Sequence, residues 1–89
     1  MFQRLRGIEQ AADAILATYD SAFAGKDRAT RDPSELSLLC DQMAELERQL
    51  TELVTRFNLG VRHRPSARVR DLSMMLEREY RAVLKAKLN

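Results

Sequence analysis

Leu36–Phe57 reads LSLLCDQMAELERQLTELVTRF, and its spacing decides the fold. Leu36, Leu39, Met43, Leu46, Leu50, Leu53 and Phe57 fall 3, 4, 3, 4, 3 and 4 residues apart, and all seven are apolar. This is an uninterrupted coiled-coil seam, the pattern of a helix that buries one stripe against other helices. Leu38, Cys40 and Val54 lie just off the seam. The apolar face is therefore wider than a two-stranded coil needs, which predicts contact with more than one neighbour. A seam specifies packing and carries no chemistry of its own.

Working outward, Asp32-Pro33-Ser34-Glu35 opens this helix. Asp32 is placed to accept the backbone N–H of Glu35, and Glu35 to reach back, as in a capping box. Pro33 falls at the first helical position, where a missing N–H costs nothing. The helix is predicted over about 33–58. Upstream, Leu5, Ile8, Ala12, Ile15, Tyr19 and Ala22 repeat the 3,4 spacing, with Phe2, Leu16 and Phe23 on the flank, predicting a helix over about 2–24. Downstream, Val69, Leu72, Leu76, Tyr80, Val83 and Leu84 form a stripe, with Met75 beside it, that predicts a helix over about 66–87. Gly25 and Gly60 close the first two helices, and Pro33 and Pro65 precede the next two. The connection Gly25–Arg31 is short, which forces the first two helices into an antiparallel hairpin. The fold class is all-α: one domain over 1–89, a helical hairpin plus a third helix, like a three-helix bundle.

At 89 residues the chain makes one small domain with a modest core, and self-association is a common way for such a chain to bury more surface. With 45% hydrophobic residues it is too apolar to be disordered. The single cysteine, Cys40, rules out an intrachain disulfide and fits a reducing cytoplasm. Arg4, Arg6, Glu9 and Asp13 interrupt the N-terminal apolar residues, so the segment reads as neither a signal peptide nor a membrane span. The expected location is cytoplasmic, with export by a route other than Sec left open, and no membrane insertion is expected.

Few residues here suit catalysis or metal binding. His63 and Cys40 are 23 residues apart on different elements, which is no zinc pattern. Glu45, Glu47, Glu52, Glu77 and Glu79 lack the Glu-x-x-His partner of a carboxylate metal bundle and read as solvated helix faces. Cys40, at the edge of the stripe, reads as a small hydrophobe. No cofactor and no enzymatic activity are expected. Leu5-Arg6, Ile8, Lys26 and Asp32-Pro33-x-Glu35 together resemble a pattern of the helical chorismate mutases, which are all-α dimers of this length. Ser34 stands where that family has arginine, a second arginine late in the first helix is absent, and the helix is short. Without bidentate clamps for a dicarboxylate, no catalytic residue is carried over.

Charge is more informative. Residues 1–55 hold six basic and ten acidic side chains, whereas residues 56–89 hold nine basic and three acidic. Arg62, His63, Arg64, Arg68 and Arg70 cluster around the third helix's start with no acid until Asp71. Guanidinium groups at a helix N-terminus suit phosphate or carboxylate, and His63 gains charge in mild acid. The plainer reading is solvation, or pairing within the chain with Asp13, Asp20, Asp41, Glu45 or Glu52. A nucleic-acid partner is the alternative, but the low net charge of +2 and the lack of aromatics among the basic residues count against it.

These features point to a small non-enzymatic protein–protein interaction module, an adaptor, chaperone or assembly subunit, working through the seam and the arginine-rich segment. The seam with Leu38, Val54, Met74 and Met75 offers apolar surface for a protein partner or a second copy. A small secretion-apparatus subunit or its chaperone is a further alternative. Such helical hairpins are of this size, and their polar turn is similar to Asp32-Pro33-Ser34, though these residues are too common to define a family.

Overall fold

A computed structural model of the chain describes residues 2–57 and 64–88. Every regular element among them is helical: α1 (Phe2–Phe23), a 3₁₀ turn (Arg28–Thr30), α2 (Pro33–Arg56) and α3 (Arg64–Leu88). The termini follow local chemistry. At the end of α1, Lys26 N–H donates to Phe23 O at 3.1 Å, and Gly25 takes φ 74°, the left-handed conformation that glycine adopts without a Cβ penalty. At the start of α2, Asp32 Oδ1 accepts from Ser34 N–H at 2.9 Å, with Pro33 in the first turn. The cap thus acts one residue earlier than the Glu35 partner that a capping box predicts.

The helices run up, down and up. Arg4 and Ile8 of α1 lie beside Leu53 and Arg56 of α2, which makes that pair antiparallel. Arg68 and Glu79 of α3 bond Asp13 of α1 and the Arg28–Arg31 segment beyond its C-terminal end, in that order, so α3 runs parallel to α1. Helix α2 makes its most extensive contact with α3 and also packs on α1. One core fills the space between them: Leu5, Ile8, Ala12, Ile15 and Phe23 from α1, Leu36, Leu39, Met43, Leu46, Leu50 and Leu53 from α2, and Val69, Leu76 and Val83 from α3. Tyr19, Leu72, Met75 and Tyr80 pack against it half-buried.

Six of the seven seam residues are buried by the chain's own α1 and α3, with Leu36 and Met43 at 0% exposure. Phe57 is the correction. Helix α2 stops at Arg56, so Phe57 caps it instead of continuing the stripe and remains 46% exposed, with the Arg56 guanidinium 6.0 Å from its ring centre. Helix α3 also starts earlier than Pro65 suggests, at Arg64, because proline is tolerated in a first turn.

Candidate interaction surfaces

The arginine-rich segment is only partly visible. Arg62 and His63 lie outside the described residues, and Arg64 is the first residue of α3. Arg68 and Arg70 are exposed on the first turns of that helix. Arg68 Nη2 donates to Asp13 Oδ1 of α1, so this arginine is engaged inside the chain.

The densest polar arrangement lies elsewhere, where the α1–α2 connection meets α3. Arg28 grips the Glu79 carboxylate with two hydrogen bonds, 3.3 Å from Nε and 2.8 Å from Nη2. Arg31 Nη1 donates to Glu79 Oε2 at 3.0 Å and to Tyr19 OH at 3.1 Å. Its Nη2 and Nε donate to the carbonyls of Phe23 at 3.3 Å and Lys26 at 3.2 Å. The same guanidinium sits 5.8 Å from the Tyr19 ring centre and 5.7 Å from that of Phe23, within cation–π range. Lys87 Nζ caps the 3₁₀ turn by donating to Ala29 O at 3.0 Å. Hydrogen bonding from Arg28 is the main cause that holds the Glu79 carboxyl below its ordinary range, against the opposing effect of burial. This clasp fills its own valences, so its chemistry is structural: it fastens the hairpin's turn to α3.

Glu79 therefore corrects its reading as a solvated carboxylate. Glu45 and Glu52 do lie on an exposed helix face, both bonded to Arg48, at 2.6 and 2.5 Å. Arg48 draws the Glu45 carboxyl down to about 2. Cys40 is half-buried, and desolvation raises its thiol pKa, with the Glu77 and Asp41 charges adding to the effect, so it is held in the neutral form. Among the described residues no cluster of three or more His, Cys, Asp or Glu is arranged to hold a metal, and no helix is long and apolar enough to cross a membrane.

An open surface lies on the face that α1 and α2 share. Two adjoining hollows run along it. One, of about 400 Å³, is lined by Arg4, Gly7, Ile8, Gln49, Leu53 and Arg56, among others. The other, of about 500 Å³ and almost wholly apolar, is lined by Ala14, Ile15, Asp41, Gln42 and Glu45. Ala11 and Leu46 line both. The polar rim is uneven: Arg4 and Arg56 stand with Glu52 at one end, Asp41 and Glu45 at the other. Large apolar side chains elsewhere are scattered. Leu38 on α2 is 58% exposed and Met74 on α3 is 45% exposed, while Val54 and Met75 are half-buried.

Sequence spacing pointed to α2 as the working helix but missed this groove, because its α1 wall is made of Gly7, Ala11 and Ala14, whose small side chains give little hydrophobic signal. Compared with protein-family models, curated proteins and solved structures, the chain matches none.

Proposed function

We propose that this chain is a small non-enzymatic helical interaction module that presents the α1/α2 face to a protein partner. One observation carries the reading. Helix α2 buries most of its seam against its own α1 and α3, yet along the α1 side a groove floored by Ile8, Ile15 and the seam residues Leu46 and Leu53 stays open between two helices. Grooves of this kind take an amphipathic helix, with apolar anchors on the floor and charges on the rim. The arginine-rich segment supplies a second, charged contact for an acidic partner. Its Arg68–Asp13 pair sets the start of α3 against α1 and lowers the charge available to a polyanion.

A photo-crosslinking residue at Ala14 or Gln42 tests this in cells, with Arg78 on the exposed side of α3 as the control position. Discrete protein adducts are expected from Ala14 and Gln42 and survive nuclease. Adducts from Arg78 alone, or none from any position, would contradict the reading. A variant with Arg62, Arg64, Arg68 and Arg70 all replaced by Gln should keep the groove adducts at lower yield. Binding that nuclease abolishes and salt weakens steeply would make nucleic acid the partner instead.

A further inference from the structure

The groove contains one residue that nothing inside the chain explains. Gly7 lies within α1, where glycine costs about 1 kcal/mol against alanine. Its φ is not positive, and a Cβ built there meets nothing within 4 Å. Neither a turn nor internal packing calls for glycine. What its absent side chain leaves is bare backbone on the groove wall, open to close approach from outside.

The rim charges suggest what approaches. With Arg4 and Arg56 outnumbering Glu52 at one end of the face and Asp41 and Glu45 at the other, the face is complementary to itself turned end for end. Such a surface defines an isologous interface, in which each copy offers the same patch. Arg56 and Asp41 are 15 positions apart on α2, so the face is roughly 22 Å long at 1.5 Å per residue. Across a molecule about 20 Å wide, the two copies together would cover on the order of 1,000 Å², near the lower bound of stable interfaces.

We infer that the α1/α2 groove is occupied by the same groove of a second copy, seated antiparallel with α1 on α1 and α2 on α2, crossing near Ala11 so that Gly7 of each copy lies against Ala14 of the other. In this register Arg56 of one copy faces Glu45 of the other, with Asp41 one turn further on and Arg4 alongside. The inference rests on the α1/α2 face being the interaction surface, and it names the occupant.

Sedimentation equilibrium from low-micromolar to near-millimolar concentration tests it. The chain should move from 10.2 kDa toward twice that mass. Gly7→Ala should melt higher than the parent at low concentration, since it removes a helix-interior glycine. It should also weaken the dimer about tenfold, by the cost of a methyl group in a packed contact. Arg4→Glu with Arg56→Glu leaves both ends acidic, and Asp41→Lys with Glu45→Lys leaves both ends basic. Each double variant alone should stay monomeric, and an equimolar mixture should pair. A parent that stays monomeric throughout, a Gly7→Ala dimer of undiminished affinity, or a mixture no tighter than its components would overturn the inference. Crosslinks from Ala14 to a different protein, together with a monomeric parent, would leave the interaction face standing and remove only the second copy. No crosslinks from that face would remove both.

Discussion

At the scale of residues, Arg31 and Glu79 do the most for the fold among the polar groups. Arg31 spreads its guanidinium over two rings and four acceptors, a task that needs a planar fork. Arg31→Lys is therefore expected to destabilise the chain by about 1–3 kcal/mol, because one ammonium cannot reach those acceptors together. A melting temperature equal to the parent's would contradict it. Glu79 gives a pH signature. Its folded-state pKa is depressed, first by the Arg28 hydrogen bonds, so its contribution is complete above the unfolded value and is lost as pH falls through the folded one. Glu79→Gln should cost about 1–3 kcal/mol at neutral pH. The gap to the parent should then close as pH is lowered below the ordinary value of 4.5, as followed by denaturant titration. A gap that persists unchanged into strong acid would contradict this role. None of the clasp was legible in the sequence. Arg28 and Glu79 are 51 positions apart, and only the folded chain shows that this glutamate, alone of the five carboxylates once grouped as solvated, faces the turn.

At the scale of elements, most of the architecture was legible, because it is local. The 3,4 spacing sets which side of each helix is apolar, and the burial of Leu5, Ile8, Ala12 and Ile15 on α1 and of Val69, Leu76 and Val83 on α3 follows it. Where the spacing failed, an end effect was the cause: Phe57 continues the heptad but not the helix. Leu50 is 2% exposed at the centre of the seam, so Leu50→Ala should cost about 2–5 kcal/mol in thermal or denaturant unfolding. Leu38→Ala, on an exposed flank of the same helix, should change chain stability by no more than about 0.5 kcal/mol. If the two substitutions cost the same, the buried side of α2 has been assigned wrongly.

At the scale of the whole molecule, we propose a division of labour on α2: the seam, buried by α1 and α3, holds this chain together, and the α1/α2 face, floored in part by Leu46 and Leu53, meets the partner. In the sequence, partner binding reads onto the seam and the arginine-rich segment, because a heptad pattern does not say whether its partner is in the same chain. The charge polarity between the two halves was visible in composition. The meeting of Arg4 and Arg56 at one end of a groove was not, since it arises only after α1 folds back on α2. Amide chemical shifts recorded across a concentration series test the division most directly. The account predicts that Gly7, Ala11, Ala14, Gln42 and Gln49 shift progressively with concentration, while the seam residues Leu39, Met43 and Leu50 and the outer α3 residues Met74 and Arg78 hold still. Shifts concentrated on α3, or loss of the seam resonances as the helices exchange between chains, would contradict it.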